Sequence, residues 1–262
     1  MSRPGTHVAP LGTRDRMTRI LIVGATSLIA GHCARIWAAR GADFVLMGRN
    51  PERLSAVASD LIARGAASAT CQAFDAVNFT AHPGMIAAAL SEDHTPDLAL
   101  IAHGELPDEA VCDEDPAKVV QQFTTNATST IALVSALASR MKSKGAGTIA
   151  VISSVAGDRG RATNAHYGAA KAAVSTFCDG LRARLHGTGV HVITIKPGMV
   201  ATPMTAGLNL PEILLAKPER VARDICRAIE RRRAVIYTPW FWRWIMLVIR
   251  LIPERIFVRL RL

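Results

Sequence analysis

From residue 19 onward the chain alternates short apolar, β-rich runs with longer helix-compatible stretches, and this alternation limits its fold more tightly than any other feature. The runs fall at 20–23, 43–47, 69–74, 97–102, 148–153, 190–195 and 234–238. Between them lie stretches at 28–40, 51–65, 82–90, 115–142, 165–186 and 218–231. Strand, helix, strand at this spacing predicts a parallel sheet with helices on both faces. The expected organisation is one doubly wound α/β domain with seven parallel strands over 18–238, a flexible leader over 1–17 and a tail over 239–262. Ligands in such sheets bind at the carboxyl ends of the strands, so chemistry is sought just after each run.

Composition narrows the class. Half of the 262 residues are apolar, enough for a sizeable core. Five cysteines (33, 71, 112, 178 and 226) are scattered without a CxxC pair. They predict buried thiols in a reducing cytosol rather than disulfides or a metal site. The first seventeen residues hold no apolar run, so they do not read as a signal peptide, and Met17 is an alternative start. No uncharged apolar run reaches the roughly eighteen residues of a spanning helix. Of the net charge of +10, residues 231–262 carry +7, from eight Arg against Glu254. Charge gathered at one end, beside aromatics, is unlike a nucleic-acid footprint, which spreads over a groove or patch.

The first run leads into "ILIVGATSLIAGH". Gly24 can make the tight turn that aims free helix N–H groups at a pyrophosphate, and Thr26 and Ser27 add hydroxyl donors. Leu28 and Ala30 stand where a GxxxGxG loop has glycines, and an ordinary strand-to-helix turn explains the segment about as well. The second run ends "FVLMGRNPERL". Gly48 replaces the acid that would hold adenosine ribose hydroxyls, and Arg49 suits a 2′-phosphate; a solvated loop arginine is the plainer reading. Asp75 can accept from an adenine amino group or cap a helix. Gly104, in "IAHG", is close to the adenosine ribose, and His103 reads as a loop residue.

The strongest signal is "GTIAVISSVAGDRGRATNAHYGAAKAAVSTF". Tyr167 and Lys171 are i and i+4 on a predicted helix and share one face. A phenol near its ordinary pKa of ~10 is a poor acid–base at neutrality, and a neighbouring ammonium is expected to lower it. Ser154 ends a strand and can hydrogen-bond a carbonyl. Asn126 sits inside the long predicted helix 115–142, where a water bridging to Lys171 would satisfy it.

At these residues the chain resembles the short-chain dehydrogenase/reductase family over roughly 18–238. Ser154, Tyr167 and Lys171 match its Ser and YxxxK, Asn126 its helix Asn, and "KPGMVAT" its PG…T segment. The resemblance implies a Rossmann-type fold and hydride transfer between a nicotinamide and a carbon bearing oxygen. Tyr167 would be the acid–base, Ser154 would orient the carbonyl, Lys171 would tune Tyr167 and bind ribose, and Asn126 would carry a proton relay. The implied cofactor is NADP(H), with NAD(H) possible. It would lie against Gly24, Thr26, Ser27, Leu28, Ile29, Arg49, Asp75, Ala76, Ala102, Gly104, Tyr167, Lys171, Pro197, Gly198, Val200 and Thr202.

The tail "WFWRWIMLVIRLIPERIFVRL" predicts a helix over 240–252 with Arg243 and Arg250 on one stripe and apolar residues elsewhere. Such a helix is buried against protein or lies in a bilayer interface with its arginines reaching headgroups. Thirteen residues make roughly 20 Å of helix, too short to span. Pro253 suits the start of a second short segment. This tail and "FDAVNFTAHPGMIAAAL" are similar to parts of the decaprenylphosphoryl-2-keto-ribose reductases within the family. That similarity implies a polyprenyl-phosphate-linked 2-keto pentofuranose as substrate, reduced to the arabinofuranose donor, with a flavin-dependent oxidase as partner. It also implies a peripheral position on the cytoplasmic membrane. Two rivals stand beside it: a soluble ketone, 3-oxoacyl or sugar reductase whose tail serves a homo-oligomer, and a silent nucleotide-binding scaffold. The apolar segment 203–217 is expected to form the substrate lid.

Overall fold

The computed structural model describes residues 18–89, 95–208 and 211–260. The expected leader lies outside them, as do residue 90 and the last two positions of the tail. Strands β1 (Arg19–Val23), β2 (Asp43–Gly48), β3 (Ser68–Ala73), β4 (Leu98–Ile101), β5 (Gly147–Ile152), β6 (Val190–Pro197) and β7 (Val235–Thr238) form one sheet in the order β3-β2-β1-β4-β5-β6-β7. All six pairings are parallel. The helices are α1 (Leu28–Ala38), α2 (Pro51–Ala63), α3 (His82–Ala89), α4 (Glu109–Glu114), α5 (Pro116–Phe123), α6 (Ser129–Lys144), α7 (Ala165–Arg184), α8 (Pro218–Glu230), α9 (Trp242–Leu251) and α10 (Glu254–Phe257).

A strand covered on both faces must be apolar at every position. Strand β1 shows this. Ile20 and Ile22 belong to a core shared with α1, α2 and α8, whereas Leu21 and Val23 belong to one shared with α6 and α7. Helix α8 buries Val221, Ala222, Ile225, Cys226 and Ile229 on a single face at helical spacing. Helix starts are set locally: Asn50 caps α2 ahead of Pro51, and Asp115 caps α5 ahead of Pro116. Gly145, left-handed with φ 73°, ends α6.

Because β4 returns to the opposite side of β1 from β2, the chain reverses direction between β1 and β4. A crevice opens there at the strands' carboxyl ends.

Three expectations need correction. The long helix 115–142 is two helices, α5 and α6, joined by a π-helical turn at Thr124–Thr128 that contains Asn126. Four cysteines are buried as expected, but Cys71 is exposed on the edge strand β3. The tail helix is neither wholly buried nor wholly free. Trp242 and Met246 are buried, Ile245 and Ile249 half-buried, and Trp244, Leu247, Val248 and Leu251 exposed. One face packs on Val155, Met199, Leu214 and Tyr237 as a third small core.

Candidate active site

A cleft of about 1460 Å³ runs along the carboxyl ends of the strands. Every candidate site residue except Asn126 lines it. At one end, Gly24 takes φ +81°, and an added Cβ would fall 2.5 Å from the His103 nitrogen. Only glycine lets the β1–α1 turn pass this close to the end of β4. Ser27 precedes α1 in extended conformation without capping it through its side chain. The first amides of α1 therefore have no side-chain acceptor at the cap, the arrangement that favours a bound phosphate. Gly48, Arg49 and Asp75 lie at the same end, joined by Arg53 from the first turn of α2. Asp75 accepts from the Val77 amide at 3.1 Å. The cradle at Gly24, the exposed helix start and the two arginines fit a dinucleotide.

Ser154, Tyr167 and Lys171 meet at the middle of the cleft. Ser154 follows β5 and accepts from the Ala156 amide at 3.1 Å, which fixes its hydroxyl. Lys171, 4 % exposed, donates to the Ile152 carbonyl at 3.2 Å. Its Nζ lies 5.6 Å from the centre of the Tyr167 ring. Burial pulls the Lys171 ammonium down to about 8. Burial also pushes the Tyr167 phenol up to about 12, opposed by its hydrogen bond with Ser154. This corrects the expectation of a phenol lowered by Lys171: desolvation dominates both groups, and Tyr167 rests as a protonated acid.

Asn126 is fully buried behind Gly104. Its Oδ1 accepts from the Glu105 amide at 2.9 Å, and its Nδ2 donates to Gln122 at 3.2 Å. Each polar atom of its amide thus has a protein partner. A Cβ on Gly104 would fall 2.8 Å from Asn126 Oδ1 and 3.4 Å from Lys171 Nζ. Both side chains therefore converge on one backbone position. The π-helical turn gives Asn126 this reach while the α6 residues Leu133, Val134 and Leu137 stay in the core.

His103 is a loop residue after β4, as expected, and is half-buried, with Nε2 paired to Ser129 at 2.9 Å and Thr130 at 3.2 Å. Burial, and next the Lys171 charge, hold it down to about 3, so it stays neutral.

Several cleft residues were not singled out from the sequence. Glu109 accepts from the amides of His166 at 3.1 Å and Tyr167 at 3.3 Å, and pairs with His166 Nδ1 at 2.7 Å. A carboxylate thus caps the helix that carries Tyr167 and Lys171. Nothing in the local sequence signals this pairing across 57 positions. Arg53 was legible as a second cation four positions after Arg49, at the start of α2. Trp242 and Ile249 bring the tail into the cleft wall. Arg159 fastens that tail. It donates to the carbonyls of Ile249 and Ile252 at 2.5 and 2.7 Å, pairs with Glu254 at 2.8 Å and stacks on Phe257 at 3.7 Å. Among the described residues no His/Cys/Asp/Glu cluster suits a metal, and no helix is long and apolar enough to cross a membrane.

The chain is similar to known proteins in sequence and fold. The profile of the short chain dehydrogenase family matches residues 18–212. An uncharacterized oxidoreductase of Mycobacterium tuberculosis is 37 % identical over 241 residues, covering 92 % of this chain and 96 % of the relative. Among solved structures, a short-chain dehydrogenase from Sphingobium yanoikuyae in complex with NADPH has a TM-score of 0.79 at 26 % identity, covering 88 % of this chain and 92 % of that one. A 3-oxoacyl-[acyl-carrier protein] reductase from Brucella melitensis has a TM-score of 0.71 at 26 % identity, covering 81 % and 84 %. The convergence of Ser154, Tyr167 and Lys171 beside a dinucleotide cradle is therefore not an isolated coincidence of spacing: this chain belongs to the short-chain dehydrogenase family and is an NAD(P)-dependent oxidoreductase.

Proposed function

We propose that the protein is an NADPH-dependent reductase acting on the 2-keto group of a polyprenyl-phosphate-linked pentofuranose at a membrane surface, and that it yields the lipid-linked arabinofuranose donor. The observation that carries this reading is the two-sided tail helix. Trp242 and Ile249 wall the cleft, while Trp244, Val248 and Leu251 are 56, 63 and 72 % exposed on the opposite face. Arg243 and Arg250 flank that outer face, both exposed. An apolar face edged by cations suits a bilayer interface. The same helix would hold the active site against the lipid that carries the substrate. Met204 and Leu208 are exposed at the cleft and extend its apolar wall. Arg49 and Arg53, with Gly48 in place of an acid, favour NADPH over NADH.

NADPH, when bound, supplies the hydride. Ser154 donates to the carbonyl oxygen and orients it. Tyr167, held protonated by burial, gives its proton to that oxygen as charge develops there. The Lys171 ammonium stabilises the phenolate left behind. Asn126 fixes the backbone at Gly104 and Glu105. Glu109 holds the first turn of α7 so that Tyr167 keeps its place. In this reading a flavin-dependent oxidase supplies the ketone.

A second reading, a soluble ketone or 3-oxoacyl reductase, is favoured by the similarity to the Brucella enzyme; the outer face of α9 would then meet a second copy. Truncation after Pro239 would strip the cleft wall as well, so substitution of the outer face separates the two readings more cleanly. Full-length protein should reduce a prenyl-phosphoryl 2-keto ribose faster with NADPH than with NADH, and should sediment with anionic liposomes. Trp244→Glu/Val248→Glu should abolish sedimentation and keep turnover of detergent-dispersed substrate. A wild type that never binds liposomes, and that loses oligomers in the double variant, would select the second reading.

A further inference from the structure

Five side chains lining the cleft can carry positive charge: Arg49, Arg53, His103, Lys171 and Arg161. The first two lie at the nucleotide end, His103 is held neutral by burial, and Lys171 belongs to the catalytic group. Arg161 has no place in that chemistry. It sits on the turn between the Val155–Asp158 3₁₀ segment and α7, beside Thr163 and Asn164, on the wall that also carries Ser154 and Tyr167. It is half-buried, and its Nε is shielded from solvent without an acceptor. Among the described residues it forms no ion pair.

The four carboxylates of the cleft are all engaged elsewhere. Asp75 caps the turn at Val77. Glu105 accepts from Gln122 at 2.9 Å. Asp108 caps α4, and Glu109 caps α7. The neighbouring Arg159 is fully used in fastening the tail. Burial pulls the Arg161 guanidinium below its ordinary value, yet a guanidinium keeps its proton in proteins. A desolvated cation without a protein counter-ion is costly and is relieved by an anion. A second unpaired buried atom, Asn164 Oδ1, lies three residues away on the same wall and needs a donor such as a hydroxyl.

We propose that Arg161 is the anion-binding residue of the substrate subsite and takes a phosphoester oxyanion carried by the ketone substrate. This deepens the proposed function and rests on it only for the identity of that phosphoester, which is the phosphodiester of a lipid-linked sugar there and a phosphopantetheine arm in the 3-oxoacyl reading. Arg is suited to such a group because its planar fork can pair two oxygens at once.

The test uses full-length, NADPH-saturated protein, Arg161→Gln, and two substrate pairs. One pair is a prenyl-phosphoryl 2-keto ribose and the methyl glycoside of the same ketosugar. The other is acetoacetyl phosphopantetheine and its dephosphorylated form. Arg161→Gln should raise KM for the phosphorylated member of the pair that is turned over by about tenfold to a hundredfold, as loss of a charged hydrogen bond implies. It should leave the neutral member within about twofold. Turnover confined to the second pair, with that selectivity, keeps Arg161 and sinks the sugar reading. Equal loss on both members, or no loss, overturns the Arg161 assignment. Calorimetry of geranyl phosphate on NADP⁺-saturated protein needs no turnover: the wild type should bind it and Arg161→Gln should not, and equal binding by both overturns the assignment.

Discussion

The indole of Trp242 lies directly against Gly198, so that a methyl group at residue 198 would fall 1.9 Å from the indole Nε1. Gly198 follows β6 and belongs to the segment expected to lie against the cofactor, whereas Trp242 opens the tail helix. Gly198→Ala must displace the indole or the backbone, and either shift moves the cleft wall. We expect kcat/KM to fall at least about tenfold, as small misplacements at a reacting centre do, together with a change in tryptophan emission. Wild-type kinetics in this variant would mean that the wall does not matter to the reaction.

Tyr167→Phe keeps the ring and removes the proton donor. Turnover should drop by about 10²- to 10⁴-fold, while nucleotide affinity stays within a few fold. The check is single-turnover absorbance at saturating nucleotide, beside a direct titration of nucleotide binding.

The pH dependence follows from Lys171. Its ammonium is needed once Tyr167 has given up its proton, and burial sets its loss at about 8. The kcat/KM for reduction should therefore hold below about pH 8 and decline above it, close to tenfold per unit. A profile flat to pH 10 would contradict the assigned role.

The same burial makes Lys171 a cost to the fold. Its ordinary value of 10.5 lies above the folded value of about 8. The unfolded chain binds more protons between those limits, so stability rises with pH across that window, and the full penalty is present below it. Lys171→Met should abolish activity and at pH 7 raise stability by about 1–3 kcal/mol, read as a higher Tm.

Beneath the tail, Asp158 is 2 % exposed at its side chain and joins Lys196 Nζ at 2.5 Å and the Tyr237 hydroxyl at 2.8 Å. Removing one partner of a buried pair strands the other, so Asp158→Ala should cost about 3–5 kcal/mol. Urea titration measures this, and a loss under about 1 kcal/mol would show that water already relieves the site.

The strands and most helices were legible because a sheet covered on both faces must be apolar throughout, and because Asn50, Pro51, Asp115 and Pro116 mark helix starts by local chemistry. The Tyr167–Lys171 pair was legible for the same reason, one helical turn setting its geometry. Other features depend on where distant segments meet. Glu109 at the α7 start, Arg159 on the tail and Trp242 on Gly198 pair residues tens of positions apart, and no spacing rule reports them. The π-helical turn at 124–128 was hidden because its residues suit an ordinary helix equally well. The sign of the Tyr167 shift was misjudged because charge proximity can be read from a sequence, whereas desolvation can be read only from a packed wall.

A fold that takes one side of its reaction chamber from α9 separates two inheritances. Hydride chemistry resides in the sheet and α7, whereas the terminal segment that carries α9 supplies one wall around the guest. Swapping that terminus between relatives should therefore retune which ketone is accepted without rebuilding the machinery that reduces it.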